Sequence, residues 1–182
     1  MTVKKIIIYP ESEAALRKKS EPVRAFNRRT KKLINNLKDT LAKHPEGIGL
    51  AAPQINVHQQ VVIVRLGGRS GNEERESDPP VALINPQILE ATNDKPDFDG
   101  CLSIPGIFGA TMRPHTLRVS GLDEEGRPFD RVFEEFDAVV VHHEIDHLQG
   151  ILFIDRVKSV KDLYRIEEDE NGKFVRVPVV ED

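Results

Sequence analysis

The amino-acid sequence predicts an α+β fold, with antiparallel sheet hairpins packed around one central helix. Two observations carry this reading. Short runs rich in β-branched and aromatic residues recur between turn signals, among them Asp123 to Arg127 and the Asn171-Gly172 pair. Two stretches have helical character: one amphipathic, over about Arg28 to Lys43, and one apolar on most of its circumference, over Val139 to Leu148. A length of 182 residues with 38% hydrophobic content suits one well-cored domain over 1–182.

Residues 1–24 read as an extended arm punctuated by Pro10 and Pro22. In the first helix Leu33, Ile34, Leu37 and Leu41 fall on one face, and Pro45 ends it by disfavouring helix at His44. Gly47 to Gln54 follows (G-I-G-L-A-A-P-Q). It satisfies the pattern of a dinucleotide fingerprint but lacks its context, because a helix rather than a strand precedes it and Pro53 interrupts any helix opening from it. Its glycines instead suit close backbone approach to a ligand or another segment, and the Gln54 amide can donate toward an oxyanion.

Val61 to Leu66 reads as a strand, and the polar stretch of about 67–80 as a mobile loop. Val81 to Ile84 and Gln87 to Ala91 read as two strands broken at Asn85-Pro86. Asp99 to Gly106 lies between polar turns, and His115 to Leu122 pairs with Pro128 to Phe136 as a hairpin. The second helix takes Asp137 as its N-cap and Gly150 as its C′ residue. Ile151 to Ile154 reads as a strand, and Tyr164 to Ile166 with Phe174 to Val180 as a hairpin around a type I′ turn at Asn171-Gly172. The tail, about 158–182, is acidic.

The composition sets bounds. No early run resembles a targeting peptide, and no stretch reaches membrane-spanning length. One cysteine, Cys101, excludes an internal disulfide and suits a reducing, cytoplasmic setting. The net charge of -4 divides into +8 over residues 1–43 and -12 over the rest. That basic quarter is a solvated helix face or a surface for an anionic partner; without interleaved aromatics it has no signature of specific nucleic-acid binding.

The chemistry concentrates in the second helix, where His143-Glu144-Ile145-Asp146-His147 forms H-E-x-x-H. On a helix His143 and His147 lie one turn apart on one face, so two imidazoles can converge on a cation while Glu144 reaches a water beside it. A catalytic site takes three protein ligands and leaves one position for water. Other H-E-x-x-H enzymes draw the third ligand from a downstream Glu or His. No His follows position 147 here, and Cys101 is the leading candidate.

Together, Gly47 to Gln54, Gly100-Cys101-Leu102-Ser103 and His143 to His147 resemble the three signature motifs of peptide deformylase, in order, within a resemblance covering about residues 4–157. The resemblance implies hydrolysis of the formyl group from the N-terminal formylmethionine of new polypeptides, releasing formate. It implies one divalent metal ion per chain, Fe2+ in cells, with Zn2+, Ni2+ or Co2+ able to occupy the site. It implies Cys101, His143 and His147 as ligands, Glu144 as general acid/base beside a metal-activated hydroxide, and Gln54 with the backbone N–H of Leu102 as oxyanion donors. Gly47 and Gly49 would let substrate backbone lie alongside, and Ile48, Val139 and Val140 would line the methionine pocket.

The sequence departs from the family pattern at Asp99, commonly Glu, and at His142, commonly Gln. The shorter Asp99 is expected to enlarge or recharge the pocket rim, and His142 to titrate near neutral pH. Asp146 is expected either to hold Arg113 or a ligand's ring nitrogen, or to be a solvated carboxylate. Some family members contact the ribosome through a basic C-terminal helix. Here Glu167 to Asp182 holds six acids against Lys173 and Arg176, so any transient ribosome contact would fall to the basic N-terminal quarter. Two competing readings share these motifs: a metal-dependent peptidase of other specificity, and a silent binding module with a closed structural metal.

Overall fold

The computed structural model describes residues 2–67 and 79–180. The core of the expected mobile loop, residues 68–78, lies outside them. Among the described residues the helices are α1 (Glu13–Leu16), α2 (Arg28–Leu41) and α3 (Glu135–Leu148). The strands are β1 (Gly49–Ala51), β2 (Val61–Val64), β3 (Val81–Cys101), β4 (Ile104–Leu122), β5 (Pro128–Glu134), β6 (Leu163–Glu168) and β7 (Phe174–Pro178). They form one antiparallel sheet in the order β1, β2, β3, β4, β6, β7, with β5 also paired to β4. The α+β fold read from the sequence is the one observed.

Strand β2 explains how the sheet holds two helices. Successive side chains point to opposite faces of a strand. Val61 and Ile63 accordingly join Leu33, Ile34, Leu37 and Leu41 of α2, while Val62 and Val64 join Val140, Val141, Ile145 and Leu148 of α3. A strand buried on both faces reads as an unbroken apolar run, as Val-Val-Ile-Val does. Helix α2 starts at Asn27, whose side chain accepts from the backbone N–H groups of Arg29 at 2.9 Å and Thr30 at 3.4 Å, satisfying donors the helix cannot.

The long β3–β4 hairpin carries the site. Its ladder runs to Cys101 opposite Ile104, leaving Leu102 and Ser103 as the turn. The register shifts between Gly100 and Cys101, and a shift of this kind re-aims the side chain that follows it. The predicted break at Asn85-Pro86 is another such irregularity inside one continuous strand rather than a gap between two. Asn85 has φ 50°, and its side chain accepts from Val23 N–H at 2.8 Å and donates to Val23 carbonyl at 2.9 Å, so the kink is tied to the N-terminal arm.

Other expectations are corrected. The arm contains α1, whose Leu16 is buried against Leu152 and Phe153. Glu134, not Asp137, is the N-cap of α3, because Asp137 lies in the first turn, accepting Gly67 N–H at 2.9 Å. Gly150 does end α3, at φ 75°. Residues Phe153–Asp155 form a 3-10 turn rather than a strand, since the Asp155 carboxylate accepts the Leu152 N–H at 2.9 Å and curls the chain. The last hairpin forms as predicted. Its turn is not type I′, which needs positive φ at both Asn171 and Gly172; only Gly172 has it, and Asp169 organises the loop by accepting from Asn171 and Lys173, both at 2.9 Å.

A candidate metal centre at the end of the long hairpin

Helix α3 and the tip of the β3–β4 hairpin meet beside strand β1, at one wall of a cleft of about 680 Å³. The H-E-x-x-H helix is buried over all but its first three residues, from Ala138 to Leu148. His143 and His147, one turn apart, place their Nε2 atoms 3.2 Å from each other, and Cys101 Sγ lies 3.3 Å from His147 Nε2. The three donors fall within 4.8 Å of one another.

Each donor is oriented by a neighbour. The Asp99 carboxylate accepts from His143 Nδ1 at 2.7 Å, which fixes the ring and turns Nε2 toward the sulfur. Gln54 is buried, held by accepting the Ala51 N–H at 2.8 Å, and its amide donates to Cys101 Sγ at 3.4 Å and to Ser103 Oγ at 3.2 Å. Strand β1 lies so close to Glu144 that a Cβ on Gly49 would fall 2.3 Å from Glu144 Oε1. That contact is a physical reason for glycine at this position.

The electrostatics favour a cation. Burial raises the Cys101 thiol, but the charges of His147 and His143 outweigh it and bring the thiol down to about 5, leaving the thiolate a metal requires. Burial lowers His143, yet Asp99 holds it well above the usual histidine range. The thiolate and the Asp99 carboxylate thus stabilise positive charge at this point, which a bound cation would supply in place of the His143 proton. Burial pushes Glu144 up to about 7, and its Oε2 has no hydrogen-bond partner among the described residues; the same holds for His147 Nδ1. One sulfur and two imidazoles suit a late first-row divalent ion, and three donors leave room for water, so these residues fit the group.

Behind His143 lies a buried charge network. Arg113, fully buried, donates to Asp99 from Nη2 at 2.8 Å and Nε at 3.0 Å, and also binds Asp146, which accepts from Arg156 Nη2 at 2.6 Å. Thr111 Oγ1 donates to Asp99 at 2.8 Å. Asp146 therefore holds Arg113, one of the alternatives expected of it. Asp99 lines the cleft but is buried and committed to these partners rather than open at the rim. His142 does not titrate near neutrality. Burial and the facing arginines bring it to about 4, with Arg113 Nη1 donating to its Nδ1 at 2.8 Å.

Gly47, Ile48, Gly49, Gln54, Cys101, Leu102, Val139, Val140, His143 and Glu144 all line the one cleft, and His147 sits behind it, 1% exposed. Ile48 is the most open of the apolar ones, at 38%. The sequence reading missed Phe98, Phe108 and Phe136, which also line the cleft. In sequence they look like ordinary strand and helix residues, and only the register of the long hairpin brings the first two to the site.

A sheet wrapped about a helix whose imidazoles meet a cysteine sulfur is the architecture of a metal-dependent hydrolase. The chain belongs to the polypeptide deformylase family, whose profile matches residues 3–163. Members remove the N-formyl group from nascent peptides and depend on a metal, and this chain is an enzyme of that family. It is 36% identical over 162 residues to peptide deformylase 1 of Pseudomonas syringae pv. tomato, covering 88% of this chain and 90% of that protein. It is 40% identical over 147 residues to the peptide deformylase of Heliobacterium modesticaldum, covering 81% and 90%. The crystal structure of peptide deformylase from Ehrlichia chaffeensis in complex with actinonin superposes with a TM-score of 0.78 at 29% identity, covering 89% of this chain and 92% of that one. No helix among the described residues is long and apolar enough to cross a membrane.

Proposed function

We propose that this chain hydrolyses the formyl group from the N-terminal formylmethionine of newly made polypeptides, releasing formate and a free amine. The observation that carries this reading is the meeting of Cys101, His143 and His147 beside the buried Glu144, in a cleft bordered by the glycines of β1. Cys101, His143 and His147 would hold the ion, Fe2+ in cells on this reading, with Zn2+, Ni2+ or Co2+ able to replace it. When bound, such an ion supplies Lewis acidity, lowering the pKa of water from 15.7 to about 7.

The protein's own groups do the rest. Glu144, adjacent to a ligand and within the cleft, takes a proton from the attacking water and returns it to the leaving amine nitrogen. Charge gathers on the formyl oxygen, where Gln54 Nε2 and the Leu102 N–H donate; loss of one such donor costs ~2.7–4 kcal/mol of barrier. Gly47 and Gly49 admit the substrate backbone, and Ile48, Val139 and Val140 enclose the methionine side chain. Formyl bears hydrogen where other acyl groups bear carbon, so a close wall selects it by exclusion. The site of action is the cytoplasm. Any ribosome contact is brief and made by the basic N-terminal quarter, since the tail folds as an acidic hairpin.

The decisive experiment is a formate assay on formyl-Met-Ala-Ala with metal analysis of the same samples. Glu144→Gln is expected to lower turnover by about 10²–10⁴-fold with metal content unchanged. Unchanged turnover, or loss of the metal with the carboxylate, contradicts the assignment.

A further inference from the structure

We propose that the C-terminal β6–β7 hairpin completes the peptide-binding cleft by bracing an aromatic wall that receives an apolar side chain of the substrate beyond its formylated residue. This rests on the deformylase reading. Phe98 and Phe108 line the same cleft as Cys101 and His143. Their rings stack with centroids 5.1 Å apart at 25°. The wall begins one residue from the sulfur, because a Cβ on Gly100 would fall 2.7 Å from Phe108 Cδ1. Phe98 keeps 37% of its surface exposed, so its ring presents area within the cleft.

The hairpin holds that wall in place. Strand β6 joins the sheet where Tyr164 pairs with Phe108 and Leu163 with Gly109. The Tyr164 ring centroid lies 6.4 Å from that of Phe108 and 6.3 Å from that of Phe98, and the Arg176 guanidinium of β7 lies 4.7 Å from the centroid of the Tyr164 ring. Tyr164 and Arg176 lie just past the residues matched by the family profile, 3–163. A rigid aromatic face buries more apolar area against Leu or Phe than against Ala, which is the basis for discrimination. Phe98 and Phe108 make the contact. Tyr164 is a positioning residue that acts through them.

The test measures kcat and KM for formyl-Met-Ala-Ala, formyl-Met-Leu-Ala and formyl-Met-Ala-Leu. One leucine peptide is expected to show a KM about tenfold below the alanine peptide at similar kcat. Phe108→Ala and Tyr164→Ala should each shrink that KM ratio to about twofold or less. Tyr164→Phe, which keeps the ring, and Phe174→Ala, at the 73%-exposed far end of the hairpin, should preserve it. Should Tyr164→Ala fail to fold, Phe98→Ala decides instead, by the same loss of ratio. Equal KM for all three peptides in the unaltered protein overturns the proposal, as does a ratio that survives removal of Phe108 or Phe98. Absence of turnover on every formyl peptide would instead sink the deformylase reading.

Discussion

Asp99 shows how one side chain can set both a site and its support. Its Oδ1 accepts from His143, while Oδ2 accepts from Thr111 and Arg113, so it couples a candidate ligand to a fully buried guanidinium. Asn at this position keeps the size but loses the charge that orients the imidazole. Asp99→Asn is expected to weaken metal affinity about 10–100-fold, read by competition with a chelator. An unchanged affinity would show that His143 is oriented by packing alone. The same change leaves Arg113 with Asp146 as its remaining carboxylate, so stability should fall as well; breaking a buried pair typically costs about 3–5 kcal/mol.

At the level of elements, the end of α3 is fixed by a glycine with two independent reasons. Gly150 has φ 75°, and a Cβ there would fall 2.1 Å from the Arg17 carbonyl oxygen, where α1 ends against the helix. Neither backbone can yield easily, because Leu16, Leu152 and Phe153 pack the two segments together. Gly150→Ala is expected to lower stability by more than the ~1 kcal/mol of positive-φ strain alone, measured by urea unfolding. A loss within that figure would mean that α1 moves aside freely. The hairpin of β3 and β4 has the complementary role: its length carries Cys101 to α3, and its register sets where the sulfur lies.

Across the whole molecule, ion pairs tie chain-distant segments and make stability depend on pH. Arg17 Nη1 donates to Asp155 at 2.8 Å, linking residues 138 positions apart. Partial burial raises the Asp155 carboxyl, but hydrogen bonds from Arg17 and the Leu152 N–H outweigh it and hold it below its ordinary value of 3.8. The folded chain therefore binds the proton less readily than the unfolded one. This contribution is present above the unfolded value and is lost as pH falls below it. Asp155→Asn is expected to lower the melting temperature at pH 6, with the difference from the unaltered protein narrowing below about pH 4. A gap that stays constant with pH would assign the loss to packing. Asp99 and Asp146 are held low in the same sense, so acid lability should persist in the variant.

Local chemistry in the sequence was enough to determine the α+β class, α2 with its buried face, the last hairpin and the paired imidazoles of H-E-x-x-H, while the resemblance of three motifs named the other residues that now line one cleft. Periodicity, proline and the short H-E-x-x-H spacing act over a few residues, where the chain's own geometry leaves little choice. The tertiary structure alone decided what depends on contacts far apart in the chain: the continuity of β3 through Asn85-Pro86, the turn in place of a strand after α3, the low value of His142, and the stacking of Phe98, Phe108 and Tyr164. Each is set by partners brought together through sheet register and burial, and neither quantity is encoded at the position where its effect appears.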